Sequence, residues 1–158
     1  MEVLRKLEGL DMVHVPYKGG AGPAVAGLMG GETHLMFTTA PSAIGQIRGG
    51  KLKLLAVTSA RRMEQAPSAP TMVESGYAEF VTGSWQGIFV PAGTAKQVVE
   101  QLYRTVLQTM ADRDVIERLA KGGVEVVTSP SPQVFAQFVS AETRRWGQVA
   151  KDSGATVD

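Results

Sequence analysis

Several absences narrow what this chain of 158 residues can do. It contains no cysteine, which excludes disulfide bonds and metal sites built on thiolates. The formal net charge is only +1, so charge gives no reason to expect a nucleic acid or an anionic membrane as a partner. No apolar run approaches the ~20 residues that a membrane span requires.

Catalytic and metal-binding patterns are missing as well. His14 and His34 lie in strand patterns without a nearby carboxylate cluster, so we predict structural roles for them and no metal site. No serine has an obvious base, and we predict no catalytic residue. The amino terminus lacks the basic segment, apolar core and cleavage site of a secretory signal, so we expect no signal peptide in this chain.

What is present is a globular composition, with 44% hydrophobic and 20% charged residues. Strand and helix patterns alternate in the first half, which predicts a parallel sheet with right-handed crossovers. The strand patterns cover residues 12–17, 33–38, 52–58, 80–90 and 124–127. The helical patterns cover residues 2–8, 22–29, 41–48, 71–76, about 95–110, a short segment after Asp112, and a final segment from Ser131-Pro132. Capping-box spacing occurs at Thr71/Glu74 and at Thr94/Gln97.

A glycine-rich turn, Tyr17–Gly22, follows the first strand pattern and opens a helix. In a parallel sheet such a turn lies where ligands bind, and the helix offers backbone N–H groups and a positive dipole end to a carboxylate or phosphate. Val25 stands where the third glycine of a dinucleotide site belongs, and Lys18 precedes the glycines, so we predict neither nucleotide binding nor a cofactor. A tight connection without a ligand is the simpler interpretation of this segment alone.

A second turn, residues 37–43, repeats this pattern and adds the hydroxyls of Thr38, Thr39 and Ser42. One of these hydroxyls could instead serve only as an N-cap. Trp85 lies in the long extended pattern of residues 80–90, which is long enough to link two lobes of a protein. Its side chain either closes over a ligand or belongs to the core. The predicted ligand-binding residues are Tyr17, Lys18, Gly19, Gly20, Ala21, Gly22, Thr38, Thr39, Ala40, Ser42 and Trp85. In the full-length protein, an aspartate at Gly20 is expected to abolish anion binding while sparing the fold.

Several motifs resemble the solute receptors of tripartite tricarboxylate transporters, the Bug or TctC-type family. The resemblance runs in order along nearly the whole chain. The segments that carry it are His14–Gly20, Gly30-Gly31-Glu32 with Leu35–Phe37, Lys51–Arg62, Ala69–Gly76, Ser84–Thr94 and Arg145-Trp146. Relatives often carry Asp-Asn or similar residues where Thr38-Thr39 stand, which leaves the identity of the ligand open.

The resemblance implies an α/β fold of the type II periplasmic binding proteins, the Venus flytrap, in which two lobes close on a solute by a hinge. It identifies this chain with the carboxy-terminal half: one parallel-sheet lobe plus the carboxy-terminal helices and strand of the other lobe. The implied division is residues 1–83 for the second lobe without its first strand and loop, 84–91 for the inter-lobe connection, and 92–158 for the end of the first lobe.

The implied function is that of a periplasmic, non-enzymatic receptor that delivers a small carboxylate to the membrane permease of such a transporter. We expect the full-length protein to bind a mono- or dicarboxylate, and this chain alone to bind it weakly or not at all. Two alternatives stay open: an α/β enzyme acting on a small organic acid, and a truncated module that binds nothing. Apolar stripes on the helices at about 95–110 and 132–150 favour a homo-oligomer of the chain.

Overall fold

The computed structural model describes residues 1–153, and six α-helices account for its regular structure. Their positions agree closely with the predicted helical patterns, apart from residues 71–76. The helices are α1 (Glu2–Leu7), α2 (Ala21–Met29), α3 (Ala40–Arg48), α4 (Lys96–Met110), α5 (Arg113–Lys121) and α6 (Pro132–Ser153). No helix among the described residues is long and apolar enough to cross a membrane.

Glycine pairs end α2, α3 and α5. After α2, the backbone N–H of Glu32 donates to the carbonyl of Gly27 at 2.9 Å, and Gly31 has a φ of +78°. Gly50 after α3 and Gly123 after α5 also have positive φ, and the same pattern of backbone bonds surrounds each of them. This is the Schellman geometry, in which a residue without a Cβ adopts the left-handed conformation and the last carbonyls of the helix are satisfied.

Side chains cap two of the predicted helix starts, whereas the capping box predicted for a third helix does not form. The Asp112 side chain accepts hydrogen bonds from the N–H groups of Asp114 and Val115, and so caps α5. The hydroxyl of Ser131 accepts from the N–H of Val134 at 3.1 Å at the start of α6. At α4 the predicted capping box is absent, because Thr94 donates its hydroxyl to the Pro91 carbonyl at 2.8 Å instead.

The capping-box residues Thr71 and Glu74 bond reciprocally, but no α-helix follows them. The Thr71 N–H donates to Glu74 Oε2 at 2.7 Å, and the Glu74 N–H donates to Thr71 Oγ1 at 3.0 Å. Residues 72–76 form turns. Arg62 also bonds Glu74 at 3.0 Å, and this contact is the main reason that the pKa of Glu74 lies below its ordinary value.

The predicted sheet is not formed among the described residues, and this part of the fold prediction is wrong. The β-pairing there is an isolated parallel bridge between Val57 and Thr71. A strand requires a ladder of backbone hydrogen bonds with a second strand. The alternation of apolar and polar residues predicts only which side chains are buried. Instead, large apolar residues of the predicted strands are exposed: Val13, Val15, Leu35, Phe37, Leu55, Ile88, Phe89 and Val127.

The chain divides into two compact units. The central unit comprises Pro16–Phe89 and Asp112–Val126, and the terminal unit comprises Met1–Val15, Val90–Ala111 and the described residues of Val127–Asp158. The assignment of residues 1–83, 84–91 and 92–158 to lobes and a connection stays a prediction, and its last residues, 154–158, lie outside the described part.

The buried core lies in the central unit. Its buried residues are Val25 and Gly27 on α2, Ala43 and Ile44 on α3, and Val57, Ala69, Thr71 and Met72 in the loops. Helices α2 and α3 contact each other. Two side chains from the rest of this unit bond the last carbonyls of α5: Gln65 reaches Ala120 at 2.8 Å, and Arg48 reaches Lys121 at 3.3 Å.

The terminal unit is built from helix contacts, with α1 and α4 each packed against α6. In addition, Tyr103 of α4 donates its hydroxyl to the Pro130 carbonyl, just before α6, at 2.6 Å. None of the residues of this unit for which burial is described is fully buried. The helices therefore have only half-buried or exposed apolar faces.

Candidate functional site

The first predicted turn has a backbone that glycine alone adopts readily. Gly19 has a φ of +93°, and Gly20, the N-cap of α2, has a φ of +84° with a ψ of −155°. The conformation of Gly20 belongs to a region that is essentially restricted to glycine, because a Cβ would strain the backbone. The sequence Gly19-Gly20 is therefore needed to bring the chain from the preceding segment into α2.

The space in front of this turn is open. A Cβ built on Gly20 or on Gly22 meets no heavy atom within 4 Å. Lys18, the residue before the glycines, is exposed. The first N–H groups of a helix have no intrahelical partner, and the positive end of the dipole lies there. Neither Gly20 nor Gly22 is covered by a neighbouring atom, and free N–H groups at a helix N-terminus are the donors that helix-terminal anion sites use.

Tyr17 does not point toward that open space. Its hydroxyl donates to Glu32 Oε2 at 2.9 Å, and its ring lies against Gly27 of α2. The hydrogen bond to Glu32 is the main reason that the pKa of Tyr17 lies above its ordinary value of 10.0. The hydroxyl thus stays protonated at neutral pH, and its contribution to stability is complete below pH 10.0 and lost as the pH rises through the raised pKa.

At the second turn, the hydroxyls of Thr39 and Ser42 bond each other at 3.0 Å. Thr39 is the N-cap of α3, yet its side chain accepts no capping hydrogen bond. Thr39 thus stands at the N-cap position, one of the alternatives for these three hydroxyls, but its hydroxyl does not cap the helix. Thr38 and Thr39 are exposed, and Ser42 is half-buried. The paired hydroxyls lie at the N-terminus of α3, beside its backbone N–H groups.

Ala40, the first residue of α3, lies against the end of α5. A Cβ built on Gly123 would come 2.9 Å from the Cβ of Ala40 and 3.3 Å from the Cε of Met63. Gly123 also has a φ of +78°. The absence of a side chain at Gly123 thus allows the second turn to pack against α5.

Both turns belong to the central unit, and the helices that they begin, α2 and α3, contact each other. Trp85 belongs to the same unit, in a segment without regular secondary structure. Its exposed fraction is 38%, so it is not a core residue, and its contact with a ligand stays a prediction. Among the described residues no group of three His, Cys, Asp or Glu side chains is placed to hold a metal ion.

Sequence comparison relates the whole chain to known proteins. Residues 1–155 match the family model described as TctC, tripartite tricarboxylate transporter family receptor. Protein BugT of Bordetella pertussis is 33% identical over 154 residues, which cover 98% of this chain and 47% of BugT. The chain therefore spans about half the length of this curated relative.

Solved structures show the same fold. "R. palustris Rpa4515 with adipate" has a TM-score of 0.86 and 32% identity, covering 97% of this chain and 50% of that chain. "MatC (Rpa3494) from Rhodopseudomonas palustris with bound malate" has a TM-score of 0.80 and 33% identity, covering 93% of this chain and 50% of that chain. These likenesses confirm the general class of fold, although the predicted sheet is absent from the described residues. The chain belongs to the tripartite tricarboxylate transporter receptors, a family of periplasmic solute-binding proteins.

Proposed function

We propose that this chain forms part of a periplasmic receptor for a small carboxylate, which it binds at the two turns that begin α2 and α3. The observation that carries the proposal is the open, glycine-lined N-terminus of α2 at Gly20 and Gly22. Two structural relatives are described as holding adipate and malate, which are both dicarboxylates. The receptor would deliver the solute to the membrane permease of a tripartite transporter, and the chain would catalyse no reaction.

The chemistry of the turns suits carboxylate oxygens. Such oxygens accept hydrogen bonds only, and each turn supplies donors: backbone N–H groups at Gly19–Gly22, and the hydroxyls of Thr38, Thr39 and Ser42 beside Ala40. Lys18 adds a positive charge next to the first turn. Trp85 would cover the bound solute. Because each turn begins a helix, the two dipoles favour negative charge at both places.

An NMR titration of the isotope-labelled chain with malate and with adipate tests the proposal. Since this chain alone is expected to bind weakly, we expect saturable shifts only at millimolar ligand. The affected amides should be those of Gly19–Gly22 and of the first residues of α3. Dimethyl adipate, a neutral diester, is the control and should not change the chemical shifts of these amides. Equal shifts with the diester, or no shift at either turn with the two acids, would contradict the proposal.

We further propose that the chain associates with copies of itself through the terminal unit. Its large apolar side chains are substantially exposed on α4 and α6: Val98 at 46%, Leu102 at 41%, Val134 at 42%, Phe138 at 40% and Trp146 at 40%. Burial of apolar area contributes about 25 cal/mol per Å², so covering these faces favours association. Light scattering at low micromolar concentration should give a dimer or larger species. A clean species of 16.8 kDa would rule this out.

A further inference from the structure

Two residues that follow the first turn in the sequence, Gly27 and Glu32, have no role in the proposal above. They lie at the carboxyl end of α2, and the Schellman geometry joins them, because the Glu32 N–H donates to the Gly27 carbonyl at 2.9 Å. That bond fixes where Glu32 leaves the helix. The backbone of Glu32 is therefore tied to α2 rather than to the following loop.

Gly27 leaves room for the tyrosine ring. A Cβ at Gly27 would come 2.6 Å from Cζ and 2.9 Å from Cε1 of Tyr17, closer than atoms tolerate. A glycine inside a helix costs about 1 kcal/mol relative to alanine, so its presence here calls for a structural reason. The close approach of the Tyr17 ring supplies that reason, since any other residue at Gly27 would push the ring off the helix.

The hydroxyl of Tyr17 completes the arrangement. It donates to Glu32 Oε2 at 2.9 Å, across 15 positions in the sequence. A bond from a hydroxyl to a carboxylate is charge-assisted and stronger than one between neutral groups. One residue, Lys18, separates Tyr17 from Gly19, so the contact holds the chain just before the turn against the helix that the turn begins.

We infer that Tyr17, Gly27 and Glu32 form a clamp that positions the Gly19–Gly22 turn for carboxylate binding. The inference rests on the proposed function for its consequence, but the clamp itself acts in the ligand-free chain. Gly19 and Gly20 are flexible residues that lose much conformational freedom when they are ordered. A clamp that orders them before binding removes that loss from the binding step. Tyr17 and Glu32 thus act as positioning residues, and a direct contact of Tyr17 with the ligand stays a separate prediction.

Three variants test the clamp. Tyr17→Phe keeps the ring and removes the hydroxyl, Glu32→Ala removes the acceptor, and Glu32→Gln keeps an acceptor oxygen and serves as the rescue. The first readout is NMR relaxation and amide exchange at Gly19–Gly22 without ligand. The second is the apparent Kd for malate from the same titration. We expect faster motion at the turn and about three- to tenfold weaker binding for Tyr17→Phe and Glu32→Ala, and a smaller effect for Glu32→Gln, which keeps the acceptor but loses the charge.

The outcomes separate the clamp from the proposed function. If the turn amides of both disrupting variants match those of the wild-type chain without ligand, the clamp is wrong, whatever the chain binds. If they become mobile but wild type shows no malate shifts, the clamp stands as a structural feature, and both the proposed function and its positioning consequence fail. If Glu32→Gln behaves like Glu32→Ala, the hydroxyl–acceptor bond is not the positioning contact, and the inference is overturned.

Discussion

A Gly22→Asp variant is expected to lose carboxylate binding while helix α2 gains stability. Gly22 is the second residue of α2, lacks positive φ, and would place a Cβ in open space, so a side chain fits there. A carboxylate in the first turn of a helix stabilises it by about 0.3–1 kcal/mol. The same charge repels an anion at the turn, which should weaken binding roughly ten- to a hundredfold.

Misfolding could not explain a variant that binds more weakly and is at the same time at least as stable as wild type. Urea denaturation should show the variant to be at least as stable as wild type, and the malate shifts at Gly19–Gly22 should disappear. Gly22→Asn is the matched control, because asparagine has the shape of aspartate without its charge, and Gly22→Ala adds only a methyl group; both should retain binding. Unchanged malate affinity in Gly22→Asp would mean that this turn is structural only.

The structure corrects the choice of position for such a test. An aspartate at Gly20 was expected to spare the fold, which stays a prediction, but the backbone conformation of Gly20 makes it a poor position for the test. With a φ of +84° and a ψ of −155°, Gly20 occupies a conformation that costs other residues about 1–3 kcal/mol. Loss of binding in Gly20→Asp would therefore mix backbone strain with charge repulsion, whereas Gly22→Asp adds a charged side chain at a position without that strain.

An Ile44→Ala variant is expected to be the most destabilising of the changes considered. Ile44 is 7% exposed and lies on α3, which contacts α2 in the core of the central unit. Truncating a buried isoleucine to alanine costs about 2–5 kcal/mol, from lost transfer free energy and the cavity that is left. Ile88→Ala is the matched control, because Ile88 undergoes the same change at 67% exposure.

Urea denaturation of the two variants measures the difference in the free energy of unfolding. We expect a loss of about 2 kcal/mol or more for Ile44→Ala, and less than about 0.5 kcal/mol for Ile88→Ala. Equal effects would mean that the packing of α2 against α3 does not form the core that holds the two turns. A large loss for Ile88→Ala alone would place the core elsewhere.

Local chemistry explains why most helix boundaries were predictable from the sequence. The Asp112 side chain caps α5 by accepting hydrogen bonds from N–H groups two and three residues along the chain. Glycine pairs such as Gly30-Gly31 end helices because glycine readily adopts a positive φ. These signals act within a few residues. The capping box at Thr71 and Glu74 formed, yet no helix followed it, because a cap satisfies donors but does not supply the packing that stabilises a helix.

Contacts between distant residues were not predictable from pattern. The sheet prediction failed because alternation at segments such as residues 12–17 does not identify a hydrogen-bonding neighbour. The Tyr17–Glu32 bond and the packing of Gly123 against Ala40 join residues 15 and 83 positions apart. A glycine inside a helix, Gly27, was the one available signal for the first of these contacts, since glycine there requires a reason.

A crystal structure of the chain grown with malate tests the central claim most directly. The account predicts carboxylate oxygens about 3 Å from backbone nitrogens at Gly20–Gly22, from donors at the start of α3, or from both. A structure in which malate is fully occupied at another place and both turns contact only solvent would contradict the account.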